Sequence, residues 1–139
     1  MRPPGDRRRD RSLCTRTEIA REPKAGWLFS GDLFIGGRVK YLRADEDARL
    51  ALDSLRHTLT LDFDTLLCSH AGTVQDGKAA LRRKIDYWEN VQGRARDLLQ
   101  TGQSLESIRD QVLGSESSMT VVTRGHFSKL NLIKSLVQV

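Results

Sequence analysis

The segment WLFSGDLF, residues 27–34, carries the clearest fold signal in the chain. Its first three residues are aromatic or aliphatic, and they lie between Gly26 and Gly31. Large apolar side chains bounded by glycines favour a buried strand that ends in a turn. The sequence therefore predicts a strand with Asp32 just beyond its end. The glycine pair that follows predicts a loop or distorted strand over residues 33–43.

A helix and a second strand are predicted next. Apolar residues recur every three or four positions between Ala48 and Leu59, with charged residues on the other faces, which predicts an amphipathic helix. The segment FDTLLCSHAG, residues 63–72, then predicts a short strand with His70 in the loop at its end. A strand, a helix and a strand in series indicate an α/β arrangement, in which loops beyond the strand ends gather functional groups.

The remainder of the chain is predicted to be helical. A long helix begins near Asp76, a candidate N-cap, and keeps an apolar stripe that includes Trp88. Ser104 caps a shorter helix that closes at Gly114, and a last helix begins at Phe127. We expect Trp88 to belong to the core, because an aromatic residue at helical spacing is usually a packing residue.

Basic residues are concentrated at the amino-terminal end. The net charge is +5, and residues 1–24 hold eight Lys/Arg against four Asp/Glu, whereas residues 25–139 hold fifteen against fourteen. Residues 1–24 show no periodicity, which predicts a basic, disordered leader before a domain over residues 25–139. We expect the cluster Arg7–Arg9 to be a solvated tail, with non-specific phosphate binding as the alternative.

Composition narrows the class of protein. With 139 residues, 38% hydrophobic and 29% charged, the chain has the size and composition of one globular domain. Cys14 and Cys68 form no CxxC pair, so neither a zinc finger nor a disulfide framework is predicted. No apolar stretch reaches the roughly 18 residues of a membrane helix, and no signal-peptide core is present. We expect a cytoplasmic protein.

Asp32 and His70 are residue types that bind zinc. A carboxylate and a neutral imidazole suit zinc and similar divalent ions, and a carboxylate can bridge two ions through its two oxygens. A pair of ions about 3.5–4 Å apart activates a bound water for hydrolysis. Taken alone, however, an Asp after a Gly is commonly a turn former and a loop His is commonly exposed. The residues by themselves leave both interpretations open.

The two strand-end segments resemble consecutive motifs of the metallo-β-lactamase superfamily. WLFSGDLF is similar to the fourth motif, a hydrophobic strand ending in Gly-Asp, and DTLLCSHAG, residues 64–72, is similar to the fifth, a strand ending in a His before a Gly. They occur in the family's order, with a helix between them. The resemblance covers roughly residues 20–139 and implies half of an αββα sandwich, an α+β fold with a helical carboxy-terminal region.

The resemblance also implies roles for individual residues. Asp32 would bridge two metal ions, zinc or another divalent metal, and His70 would bind the second ion. Arg38, Lys40 and Tyr41 lie on a segment that often walls the substrate entrance in this family, which implies substrate contact. Intact relatives are metal-dependent hydrolases of esters, thioesters, lactams or nucleic acids.

The chain departs from the family's pattern in its ligand set. The upstream HxHxDH motif has no counterpart, because no histidine precedes Asp32, and a further family histidine is absent near Cys14. His57 falls off the apolar stripe of its helix and is expected in solvent, and His126 is expected to be exposed or capping. The sequence therefore predicts a truncated zinc hydrolase with an incomplete site, inactive or weakly active alone, and leaves open whether this chain is an enzyme.

Two other functions remain open. The first is a non-catalytic interaction module, because half a sandwich exposes an apolar sheet face that a complementary half-domain or a second copy would cover. The second is nucleic-acid binding through the basic arm, which would weaken steeply with salt.

Overall fold

The computed structural model describes residues 9–11 and 18–138, with side chains from residue 19 onward. These residues form an α+β fold. The strands are β1 Arg9–Arg11, β2 Glu18–Glu22, β3 Trp27–Gly31, β4 Leu42–Arg43, β5 Thr65–Cys68, β6 Gly72–Val74 and β7 Phe127–Ser128. The helices are α1 Ala48–Leu59, α2 Gly77–Gln100, α3 Leu105–Val112, α4 Ser118–Val122 and α5 Lys129–Val137. None of the described helices is long and apolar enough to cross a bilayer.

A five-stranded sheet organises the amino-terminal half, in the order β1-β2-β3-β5-β6. Strands β3 and β5 are parallel and α1 connects them, whereas the other neighbours are antiparallel. The predicted strand, helix and strand in series are therefore confirmed. Because β3 and β5 run in the same direction, their carboxyl ends meet at one edge of the sheet. Strands β4 and β7 form a separate two-stranded sheet.

One face of this sheet is buried and the other is open. On β3, Leu28 and Ser30 are fully buried, whereas Trp27 and Phe29 are 44% and 43% exposed. Leu66 on the neighbouring strand is buried as well. Successive side chains of a strand point to opposite faces, so this alternation shows that the core covers one face only. The prediction of a buried strand is thus wrong for its outer face.

Regular structure begins earlier than the sequence predicts. Strand β2 precedes Gly26 in the chain and pairs with β3. The one large apolar residue of β2, Ile19, is 1% exposed. A strand pairs through its backbone, so a polar segment with a single core-facing residue can join a sheet without a visible apolar pattern. Cys14 and the side chains of the arginine cluster Arg7–Arg9 lie outside the part of the chain that the structure describes. The structure therefore does not test the predictions for Cys14 or for phosphate binding by these arginines.

The helices mostly follow their predicted bounds. Asp76 and Ser104 cap α2 and α3, as predicted, by accepting hydrogen bonds from the backbone amides of Ala79 and Ser107. Trp88 on α2 is 3% exposed, which confirms that it belongs to the core. The short elements β6 and α4 were not predicted either.

The last helix begins later than the sequence indicates. Phe127 and Ser128 pair with Arg43 and Leu42 as strand β7, and α5 starts at Lys129 with the Ser128 side chain as its N-cap. The apolar residue Phe127 fits either element, and pairing with a strand distant in sequence decides between them.

Glu116 anchors the start of α5 from outside the helix. Its two carboxylate oxygens accept hydrogen bonds from the backbone amides of Lys129 and Leu130, at 3.1 and 2.9 Å, and from the Thr120 hydroxyl at 2.6 Å. Partial burial raises the pKa of Glu116, but the hydrogen bonds and the charge of Arg109 together outweigh burial and lower it. The folded state therefore stabilises the ionised carboxylate.

We expect Glu116→Gln to lower the free energy of unfolding by about 1.5–3 kcal/mol at pH 7, the range for hydrogen bonds to a charged group. Because the pKa is lower in the folded state, the carboxylate contributes stability above the pKa of the unfolded chain and loses it as the pH falls through the folded value. Urea unfolding at several pH values measures this, and the difference between variant and wild type should shrink below about pH 4. Glu106→Gln, at an exposed site on α3, is the control and should change stability by less than about 0.5 kcal/mol.

Candidate metal centre

The carboxyl ends of β3 and β5 are joined by a small network of backbone and thiol contacts. The amide of Ser69 donates to the carbonyl oxygen of Gly31 at 3.2 Å, and the Cys68 thiol lies 3.7 Å from the same oxygen. The Cys68 sulfur also accepts from the amide of Ala71 at 3.4 Å. Gly31 itself has φ +52, a conformation that glycine adopts at little steric cost. These contacts hold the loops after the two strands side by side.

Asp32 and His70, the predicted metal ligands, meet at this edge of the sheet. Asp32 Oδ1 and His70 Nδ1 lie 3.2 Å apart, and the two side chains are 65% and 59% exposed. The parallel pairing of β3 and β5 explains why residues so far apart in the sequence come together. The pair is accessible from solvent, as a binding site must be.

The spacing of the two donor atoms fits a shared metal ion. With zinc bonds of about 2.0–2.1 Å, two ligands of a tetrahedral site lie about 3.3 Å apart. The 3.2 Å separation of Asp32 Oδ1 and His70 Nδ1 is close to that value. It is equally a distance at which an imidazole N–H contacts a carboxylate, so the geometry suits an ion pair as well.

Among the described residues, no cluster of three His, Cys, Asp or Glu side chains is placed to hold a metal. Catalytic zinc normally has three protein ligands. His57 and His126 are exposed, as predicted, and the ring of His126 packs edge-on against Phe127 at 5.4 Å. The described part of the chain therefore offers two suitable ligands of a site that needs more.

The predicted substrate contacts lie in the segment after Asp32, in different environments. Tyr41 is half-buried and lines a cavity of about 40 Å³ that Asp32 and Trp88 also line. Arg38 and Lys40 are exposed and are not part of this cavity's wall. Tyr41 is thus the member of the three that shares a surface with the candidate metal centre.

Comparison of the sequence with protein-family models gives no match, and comparison with curated proteins gives none either. The resemblance to the metallo-β-lactamase superfamily stays a prediction that rests on the two strand-end segments.

Lys84 is a residue near the candidate metal centre that was not predicted. It lies on α2 with only 2% of its surface exposed, and its ammonium group donates to the carbonyl oxygens of Leu33 and Phe34 at 2.9 and 2.6 Å. The sequence signal for Lys84 is its position between Leu81 and Ile85 on the apolar stripe of α2. A lysine on such a stripe is rarely buried unless its ammonium group has polar partners, so this position indicates a specific contact.

Proposed function

We propose that this chain contributes Asp32 and His70 to the metal centre of a hydrolase of the metallo-β-lactamase superfamily. The observation that carries the proposal is the 3.2 Å separation of Asp32 Oδ1 and His70 Nδ1 at the ends of adjacent parallel strands. Both donor atoms belong to groups that bind zinc, and their spacing fits two ligands of one ion. We propose half of an αββα sandwich as the finer fold, which the one-sided burial of β3 supports.

The other ligands would come from a segment carrying HxHxDH, supplied by a complementary half-domain. When bound, a divalent metal would lower the pKa of a water molecule, so that the water ionises near neutral pH and can attack a substrate. In this chain, the proposed role of Asp32 and His70 is to hold the metal, and the contacts of Gly31 and Cys68 keep the two loops together. Arg38, Lys40 and Tyr41 are proposed to contact the substrate.

We expect the isolated chain to bind zinc weakly, with a dissociation constant above about 1 µM. A site with two protein ligands lacks much of the binding free energy that an intact site supplies. His70→Ala should weaken binding further. Isothermal titration of the 139-residue chain with zinc chloride at pH 7 measures both.

His57→Ala is the matched control for the zinc titration, because this histidine is exposed on α1 and belongs to no described metal cluster. Equal zinc affinity of the wild type and the His70→Ala variant would contradict the ligand role. Submicromolar binding that is lost on His70→Ala would instead show that the site is complete in this chain.

The open sheet face favours a second function, that of an interaction module. Trp27 and Phe29 lie on adjacent outward positions of a central strand, and each exposes more than two-fifths of its surface. Contiguous exposed aromatic residues are typical of protein interaction sites. The two functions differ in one respect: an interaction module binds its partner equally well with or without the Asp32 carboxylate.

A further inference from the structure

Lys84 brings a buried charge close to the candidate metal centre. A buried ammonium is costly unless hydrogen bonds replace its lost hydration. Here the carbonyl oxygens of Leu33 and Phe34 accept from it, and the face of the Trp88 ring lies 4.9 Å from Nζ. The two carbonyl groups belong to the residues that directly follow Asp32. Lys84 therefore ties α2 to the backbone that carries the proposed ligand.

The backbone held by Lys84 is strained. Ile35 has φ +57, a conformation that is sterically unfavourable for a β-branched residue, and the amide of Gly36 donates to Phe34 O across it at 2.6 Å. Ile35 is 41% exposed, so its own packing contributes little to holding this turn. The preceding residues Leu33 and Phe34 are each 5% exposed, and their carbonyl groups are the ones that Lys84 binds.

We infer that Lys84 is a positioning residue: its ammonium group holds the strained turn at Ile35 and thereby keeps the Asp32 carboxylate beside His70. The inference rests on the proposed metal-binding function. Without the two hydrogen bonds, Ile35 would relax towards negative φ. The turn would then change direction and carry Asp32 away from His70.

The test is a titration of the full chain with zinc chloride in which NMR monitors the chemical shifts of the backbone amides of Asp32 and His70. This measurement gives a dissociation constant for the site even when binding is weak. Lys84→Met keeps the apolar stem and removes the donors, and it should weaken zinc binding about 10-fold or more, as loss of an outer contact to a metal site usually does.

Two further variants separate positioning from general loss of stability. Val91 lies about two turns after Lys84 on the same buried stripe of α2. The substitution Val91→Ala should therefore destabilise the fold without changing zinc affinity. Ile35→Gly added to Lys84→Met should recover part of the affinity, because glycine occupies positive φ without strain. If Lys84→Met does not fold, Lys84→Gln, which keeps an uncharged amide donor on a shorter side chain, should show a smaller loss of affinity than 10-fold.

Unchanged zinc affinity in the Lys84 variant, or an equal loss in Val91→Ala, would overturn the inference. A failure of the metal proposal is recognised separately, by equal zinc binding of wild type and His70→Ala. In that case amide hydrogen exchange tests whether Lys84 holds the turn at Ile35. Faster exchange of the Gly36 amide in Lys84→Met, together with a wild-type rate in Val91→Ala, supports this role. Unchanged exchange at Gly36 in Lys84→Met refutes it.

Discussion

Asp32→Ala is expected to abolish hydrolysis when this chain is combined with a separately supplied half-domain that carries HxHxDH. Joining the two would bury the open sheet face with Trp27 and Phe29, and burial of apolar surface drives such assembly. It would also bring Asp32 and His70 beside the HxHxDH residues, the other proposed ligands. Because loss of an outer contact to a metal site already costs about 10–100-fold in activity, loss of Asp32, the proposed bridging ligand, should cost more than about 100-fold. Turnover of a generic ester or phosphodiester measures the effect.

The control in the reconstituted pair is His57→Ala, on the exposed surface of α1, which should leave turnover near that of the unmodified pair. Sedimentation of each pair separates loss of catalysis from loss of assembly. Asp32→Ala should assemble normally, because the carboxylate is 65% exposed and lies outside the apolar face. Equal turnover with and without the Asp32 carboxylate would show that the site is placed wrongly, and assembly without any turnover in the unmodified pair would favour the interaction module.

Trp88→Ala should lower the free energy of unfolding by about 3–5 kcal/mol, the usual cost of removing a large aromatic side chain from a core. Trp88 is 3% exposed, and its indole N–H donates to the carbonyl oxygen of Val39 at 2.8 Å. The substitution leaves a cavity, an unpaired carbonyl group and a Lys84 ammonium without its aromatic neighbour. Urea unfolding monitored by circular dichroism measures the loss.

Trp27→Ala is the matched control, because it removes the chain's other tryptophan from the open face of the same fold. With 44% of its surface exposed, Trp27 should contribute less than about 1 kcal/mol to the stability of the isolated chain. A similar loss in both variants would mean that the outer face of β3 is covered after all, and that half of a sandwich is the wrong description.

The series of strand β3, helix α1 and strand β5, the starts of three helices and the core role of Trp88 were determined by the sequence alone. Helices α1, α2 and α3 depend on apolar spacing and on caps such as Asp76 and Ser104, which act on amides within three residues of themselves. Interactions of such short range are visible in any local stretch of sequence. The strand-end positions of Asp32 and His70 were predictable for the same reason.

The pairing of distant segments was decided by the tertiary structure. Strand β2 joins the sheet through backbone hydrogen bonds, which have no side-chain signature, and β7 takes the place of the predicted first turn of α5 because β4 lies beside it. The one-sided burial of β3 depends on what packs above the sheet. The contact between Asp32 and His70 follows from the parallel pairing of β3 and β5, which joins segments distant in sequence. The hydrogen bonds from Lys84 to the backbone after Asp32 follow from the packing of α2, because burial is a property of the whole fold.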